Sequence, residues 1–315
     1  MATITKIEWA DASINPLVGC SKVSPACDNC YAERLAARMV HNPAVAQRYA
    51  GTVDAHGKWT GQINVLPNEL LEKARRMRRP RRIFVGSMSD LFHPHVPDGH
   101  IARVFTQMAY VGHHTYMLLT KRPDRMRELL SRPDMQDAVR CTLQRWRDEA
   151  DLPPQDFRWP LPNVWLGTTV EDQARADERV PELLAAPGAL HFVSCEPLLG
   201  PVDFTRIIVG SAVPVLRWVI AGGETGPGAR PSHPDWFRSL RDQCKAHDVP
   251  FFFKSWGEWA EGSCYDPKFE PVANDPTLTV DDRRLKVVAM SRVGKARSGR
   301  LLDGVEHNAI PVVRG

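Results

Sequence analysis

The sequence predicts an α/β fold, a partial or complete parallel (β/α) barrel with insertions and a C-terminal extension. Three observations lead there. Short runs rich in Val, Ile, Phe, Trp and Leu recur along the chain, with helix-like stretches between them. Most of these runs lack polar alternation, as strands of a covered parallel sheet do. Each run also ends in polar, chemically capable residues. Barrel folds gather such residues at every strand's C-terminal end, whereas a doubly wound sheet uses one switch point.

In chain order, the expected strands are Ile14 to Gly19, Arg82 to Ser87, Thr115 to Thr120, Val164 to Thr169, Leu190 to Cys195, Arg217 to Gly222 and Pro250 to Lys254. The expected helices are Asn29 to Met39, Pro67 to Arg79, Asp98 to Tyr110, Pro123 to Leu130, Asp172 to Leu184 and Pro234 to His247. Two connections are long, about 41–66 and 131–162. The second reads as a helix followed by a Pro-rich loop, and long loops of this kind serve as lids or binding elements. Residues 1–256 then form the barrel. Residues 257–315, with weak periodicity, form an extension packed on it.

The chain has 315 residues, 43% hydrophobic and 25% charged, which excludes bulk disorder. A net charge of +4 is only mildly basic, so a polyanion partner has to be argued from local clusters. No apolar run nears the ~18 residues of a membrane span, and the N-terminus has no signal-peptide core. The expected location is cytoplasmic. Seven cysteines are an odd number for a disulfide framework.

Three of the seven, Cys20, Cys27 and Cys30, crowd one loop between the first strand and the first helix. A two-residue gap lets neighbouring thiolates converge on one metal centre. Three thiolates are one short of a closed zinc site or a fully protein-ligated cubane. Either a fourth ligand arrives from elsewhere, Cys195 being the strongest rival, or one metal position stays open for chemistry. Cys141, Cys244 and Cys264 read as packing residues.

The segment from Lys6 through Gly19-Cys20 to Tyr31 resembles the opening of the phage Gp37/Gp68, or three-Cys-motif, family. Gly86-Ser-Met-Ser-Asp-Leu-Phe, Leu119-Thr-Lys-Arg-Pro, Leu166-Gly-Thr-Thr-Val-Glu, Ser194-Cys-Glu-Pro, Ala221-Gly-Gly-Glu, Lys254-Ser-Trp-Gly-Glu and Gly299-Arg-Leu-Leu-Asp-Gly match it in order. That family is similar to radical S-adenosylmethionine (SAM) enzymes. The resemblance implies a [4Fe-4S] cluster on Cys20, Cys27 and Cys30, with SAM completing the unique iron. Reductive cleavage of SAM, with electrons from an external reductant, yields a 5′-deoxyadenosyl radical. The implied SAM-binding residues are Ser87, Ser89, Asp90, Lys121, Thr168, Glu171 and Tyr31, with Gly222 and Gly223 as a second candidate for the amino contact. Lys254, Glu196 and Glu224 are the expected catalytic residues of a lyase, mutase or transferase. The phage connection implies modification or repair of a nucleobase, with DNA favoured.

Lys73 to Arg82 packs seven cations into ten residues, and Arg292, Lys295, Arg297 and Arg300 form a second cluster. The bland reading is a solvated helix end, where cations are favoured. The functional reading is phosphate contact through Arg75, Arg76, Arg78, Arg79, Arg292, Lys295 and Arg297. The competing function class is a non-catalytic zinc-binding barrel protein that binds nucleic acid or a protein partner.

Overall fold

The computed structural model describes residues 5, 7–208, 216–262, 269–274 and 286–312, so Cys264 lies outside the described residues. Seven strands make one sheet: β1 (Ala12–Ile14), β2 (Arg82–Val85), β3 (Thr115–Thr120), β4 (Val164–Thr169), β5 (Leu190–Cys195), β6 (Trp218–Gly222) and β7 (Phe251–Ser255). Their order in the sheet is their order in the chain. An unreversed order with helices between strands is the winding of a barrel, and it has no switch point. β1 and β7 remain the two edges, so the sheet is the partial, open form of the predicted barrel.

By internal contacts the chain divides into two compact units. One comprises Met1–Val23, Cys30–Thr168 and Glu182–His191; the other comprises Ser24–Asn29, Thr169–Pro181 and Phe192–Gly315.

In the first unit, β1 through β4 pair in parallel, with registers such as Ile14↔Val85, Val85↔Leu118 and Thr120↔Thr168. These strands are buried almost throughout, which explains their near-continuous apolar sequence. The helices in this unit's sheet connections include α1 (Tyr31–Met39), α2 (Glu69–Arg76), α3 (Asp98–Tyr110), α4 (Pro123–Leu130) and α5 (Pro133–Glu149). Pro123 and Pro133 open α4 and α5 at positions where a missing N–H costs nothing. α3 buries Ile101, Val104, Phe105 and Met108, each worth about 1.5–3 kcal/mol relative to exposure.

The first strand differs from expectation. It stops at Ile14 because Pro16 has no N–H to give the ladder. Asn15 instead accepts hydrogen bonds from the Met88 amide (2.9 Å) and the Ser87 hydroxyl (3.2 Å). The expected continuation, Leu17–Val18, pairs antiparallel with Asn64–Val65 inside the long first insertion. Gly19 then turns the chain at φ +104°. A Cβ there would lie 2.1 Å from the Gln62 carbonyl oxygen, so only glycine leads into Cys20.

In the second unit, β5 through β7 pair in parallel and α6 (Pro234–Ala246) connects β6 to β7. The extension holds strands that its weak periodicity did not reveal: β8 (Trp259–Glu261), β9 (Phe269–Ala273) and β10 (Val287–Arg292), in the antiparallel order β8-β10-β9. Pro271 interrupts the strand pattern of β9, and it sits on an edge strand, where proline is tolerated. The open edge of β7 is covered by residues 307–309. Phe253 N donates to His307 O and Ala309 N to Phe251 O, which blunts a pairing edge. The Trp218 indole donates to Ala309 O at 2.9 Å.

Candidate functional site

Parallel strands bring their C-terminal ends to one edge of a sheet, and the predicted polar residues follow those ends. Within the first unit this brings together Cys20, Cys30, Tyr31, Ser87, Ser89, Asp90, Lys121 and Thr168. Cys20 follows the Gly19 turn, and Gly19 N donates to Met88 O in the loop after β2. Cys30 is the N-cap of α1, where the helix dipole favours negative charge. Cys20 is close enough to feel Cys30, Asp90, Lys121 and Arg122 electrostatically. Burial of the sulfur, followed by the charge of Asp90, pushes its thiol up to about 12, while Arg122 and Lys121 oppose the shift.

Asp90 is buried and fully used. Its Oδ1 accepts from Thr120 Oγ1 (2.7 Å) and Phe92 N (3.0 Å). Its Oδ2 accepts from Lys121 N (3.2 Å) and Arg122 Nη1 (2.8 Å). A carboxylate offers about four acceptor positions, so this set makes Asp90 a positioning group and leaves contact with a ligand to its neighbours. Ser89 Oγ is one such neighbour: it is buried and has no hydrogen-bond partner among the described residues. Ser87 Oγ is engaged by Ser13 and Asn15, and the Tyr31 hydroxyl donates to Ser87 O at 2.6 Å. Thr168 Oγ1 donates to Thr120 O at 2.8 Å, tying β4 to β3.

His93, in the loop after β2, supports the cysteine loop. Its Nδ1 accepts the His95 N–H, so its Nε2 donates to Ser21 Oγ at 2.8 Å. Burial, aided by the Arg122 charge, pushes the imidazole down to about 4. The unfolded chain therefore binds a proton that the folded chain refuses. The stabilising contribution is intact above the ordinary value of 6.5 and drains away as pH falls from there towards 4. His100, His114, His191 and His233 are shifted down by burial and add the same sign. The urea midpoint is expected to fall between about pH 6.5 and pH 5, before most carboxylates titrate. His93→Gln is expected to flatten that decline; an unchanged slope would remove His93 as its cause.

The second unit holds Cys27, Glu171, Glu196, Gly222, Gly223, Glu224 and Lys254. Cys27 closes the short 3-10 turn Pro25–Cys27 and is buried. The turn is clamped by residues after β6. Arg230 reaches Pro25 O (2.8 Å) and Asp28 (3.4 Å), and Asn29 Nδ2 donates to Glu224 (3.0 Å) and Gly228 O (2.6 Å). Glu224 in turn receives Arg230 at both oxygens, which holds its carboxyl below the usual range despite burial. Expected to be catalytic, Glu224 is thus fully occupied in holding the loop of Cys27.

Glu171 is fully buried beside Arg179, with Nη1 3.0 Å from Oε2. Its other oxygen, Oε1, has no hydrogen-bond partner among the described residues. Lys254 and Glu196 form a close, half-buried ion pair at the ends of β7 and β5. Gly222, at the end of β6, lies beside both: a Cβ there would be in ordinary contact with Lys254 Cβ (3.4 Å) and Glu196 Cγ (3.6 Å). Gly223 packs so tightly that a Cβ would lie 2.0 Å from Trp256 O. The rival ligand Cys195 lies within β5, fully buried, with its thiol pushed up by burial. Sequence reasoning did not single out Arg179, Arg230, Asn29 or Ser21. Arg179 lies in the helix Gln173–Ala185, eight residues after Glu171 in the loop before it, and Glu224 and Arg230 are six residues apart across a loop, so no single helix or strand period marks either pair.

Arg75, Arg76, Arg78 and Arg79 are exposed where α2 runs into the start of β2. That is the opposite end of the strand from Ser87, roughly 16 Å away at ~3.3 Å per residue. Arg292, Lys295 and Arg297 are also exposed, and Arg292 Nη2 donates to the Gly226 and Pro227 carbonyls. Among the described residues no three His, Cys, Asp or Glu side chains converge on a single metal-ion position. Among them, too, no helix is long and apolar enough to cross a membrane.

Fold and site define an α/β protein with a parallel, singly wound sheet and a thiol-bearing loop at its C-terminal strand ends. The chain belongs to the family described as "Protein of unknown function (DUF5131)", whose model matches residues 4–311. No curated protein matches it. Among solved structures it is similar to a spore photoproduct lyase mutant with dinucleoside spore photoproduct, at 10% identity and a TM-score of 0.43, over 92% of this chain and 70% of that one. A second spore photoproduct lyase mutant, with bound AdoMet and dinucleoside spore photoproduct, is similar at 10% identity and a TM-score of 0.42, over 93% and 71%.

Proposed function

We propose that this protein is a radical SAM-type [4Fe-4S] enzyme that modifies or repairs a nucleobase, with DNA favoured. The observation that carries the reading is the C-x6-C-x2-C loop, which follows the first sheet strand at its C-terminal end and supplies three thiolates but no fourth. The ordered match of strand-end motifs to the phage Gp37/Gp68 family supports it.

The residues present fit the two groups. Cys20, Cys27 and Cys30 would hold the cluster, and the cations Lys121 and Arg122 beside Cys20 offset the negative charge of a thiolate-ligated cluster. Two buried polar atoms without partners, Ser89 Oγ and Glu171 Oε1, fit the amino and ribose groups of SAM. When bound, the cluster would supply the electron that cleaves SAM to the 5′-deoxyadenosyl radical. The chain's own part is to hold and orient. Asp90 and Glu224 fix the cysteine loop; Ser87, Ser89 and Lys121 would bind the methionyl end of SAM, and Thr168 and Glu171 its ribose. Lys254 and Glu196, the remaining paired charges, are the candidate proton donor and acceptor towards substrate.

Anaerobic purification tests the reading. A brown protein with iron and sulfide near cluster stoichiometry is expected. Colourless protein with stoichiometric zinc would replace the proposal with a non-catalytic zinc-binding barrel.

For the nucleic acid, phosphates bound by Arg75, Arg76, Arg78, Arg79, Arg292, Lys295 and Arg297 would release counterions. With about four to six contacts, log affinity should fall against log salt with a slope of about −3 to −5. Because Arg75, Arg76, Arg78 and Arg79 sit at the far end of β2, they would grip a flanking segment rather than the target base. Their joint replacement by Ala should flatten the slope and weaken all sequences alike. A loss of thermal stability with affinity unchanged would assign them to the helix end instead.

A further inference from the structure

Arg48, Arg82, Arg125 and Arg132 of the first unit each face a carboxylate at 2.8–3.1 Å. Arg75, Arg76, Arg78, Arg79 and Arg103 form no ion pair among the described residues. Two of these five lie over aromatic rings. The Arg75 guanidinium sits 5.9 Å from the centre of the Tyr110 ring, and that of Arg103 sits 5.3 Å from the centre of the Trp146 ring. Tyr110 and Trp146 meet edge to face at 5.9 Å. The four side chains thus form a row (cation, ring, ring, cation) across α2, α3 and α5. Arg103 and Tyr110 are seven residues apart on α3, two turns, so they share one face of it. Arg103 is fixed there, because its Nε and Nη2 donate to Pro67 O (3.0 Å) and Asn68 Oδ1 (2.6 Å). Both rings are half-buried, and Arg75 is exposed.

The row adjoins the arginine run. Arg75 and Tyr110 lie in the last turns of α2 and α3, which lead into the starts of β2 and β3. Arg76, Arg78 and Arg79 continue the chain from Arg75. Phosphates alone would require only the cations. Half-exposed rings beside unpaired guanidinium groups add planar faces on which any unpaired base can stack. A base inside a duplex has no free face to offer them.

We propose that the face of α2, α3 and α5 around Arg75, Tyr110, Trp146 and Arg103 is a stacking platform for unpaired nucleic-acid bases, beside phosphates held by Arg76, Arg78 and Arg79. This deepens the nucleic-acid reading of the arginine run, on which it rests, and it involves neither the cysteine loop nor a metal.

Fluorescence anisotropy tests it with a labelled single strand of about 16 nucleotides and the duplex formed with its complement. Both probes are titrated at several salt concentrations against wild type, Trp146→Leu, Trp146→Phe, Tyr110→Leu and the triple change of Arg76, Arg78 and Arg79 to Ala. Wild type is expected to bind the single strand more tightly than the duplex. Trp146→Leu should lose roughly 5- to 100-fold on the single strand alone, the worth of one stacked base. Trp146→Phe keeps a ring and should keep most of the affinity, and neither change should alter the salt slope. The triple arginine variant should flatten the slope for both probes.

Unchanged single-strand affinity in Trp146→Leu and Tyr110→Leu would overturn the platform, and a flattened slope in the arginine variant would leave the arginine run standing. Equal losses on both probes, or a loss in Trp146→Phe as large as in Trp146→Leu, would overturn it too, as the mark of a disturbed helix seam. If Trp146→Leu does not fold, unchanged single-strand affinity in Tyr110→Leu would overturn it equally. Wild type that binds neither probe at low salt would overturn both readings.

Discussion

Replacing Cys20, Cys27 or Cys30 singly by Ala is expected to reduce cluster content to background in anaerobically reconstituted protein. Two remaining thiolates do not anchor a cubane that has only three protein ligands. Folding should survive, because Cys20 and Cys30 are half-buried at a turn and a helix start, and a Cys→Ala change at Cys27 removes one sulfur atom. Far-ultraviolet circular dichroism of each apo variant checks that point. Cys195→Ala is the control: this thiol lies within β5 with Cys244 and Glu171 as its electrostatic neighbours, and its loss should leave iron content unchanged. Cluster loss in Cys195→Ala equal to that in the loop variants would mean four protein thiolates and no open iron.

The largest stability effect is expected at the pair after β4. Arg179→Met leaves the Glu171 carboxylate buried with neither a counterion nor a replacement donor, and breaking such a pair costs about 3–5 kcal/mol. Arg179 Nη1 also donates to Thr169 O at 2.9 Å, so the strand end loosens too. Glu171→Gln should cost less, because the amide stays uncharged in the same space. The double change Glu171→Gln with Arg179→Met should recover part of the loss. Urea denaturation of the four proteins measures the coupling. Additive effects would mean that the two groups do not depend on each other.

The pair shows where the sequence stops being legible. Six of the seven sheet strands were readable because each holds an apolar run, and a parallel sheet buries both faces of such a run; the first was expected at Ile14 to Gly19, whereas Ala12–Ile14 joins the sheet. The cysteine loop stood out by its spacing, which by itself left a zinc site and an open cluster as alternatives. Strands β8 to β10 were not readable, because Pro271 and short mixed segments obscure any period of two. At the site, Glu171, Glu196, Glu224 and Asp90 were recognisable as charges at strand ends, but their division of labour was not. Whether a buried carboxylate faces a ligand or is consumed by an arginine depends on partners brought in by folding. Arg230 and Asn29 on Glu224, and Arg122 on Asp90, come from separate stretches of chain and leave no mark in local pattern. Among the SAM-binding candidates that the resemblance implied, Ser89 and Glu171 stand apart only once their neighbours' hydrogen bonds can be counted.

The central claim is that three thiolates and an open iron position turn SAM into a radical source. The most direct measurement is chromatographic detection of 5′-deoxyadenosine after cluster-loaded protein is reduced anaerobically with SAM. The account predicts 5′-deoxyadenosine from wild type and none from Cys20→Ala, Cys27→Ala or Cys30→Ala. A fully loaded, reducible cluster that releases no 5′-deoxyadenosine, with SAM recovered intact, would contradict it.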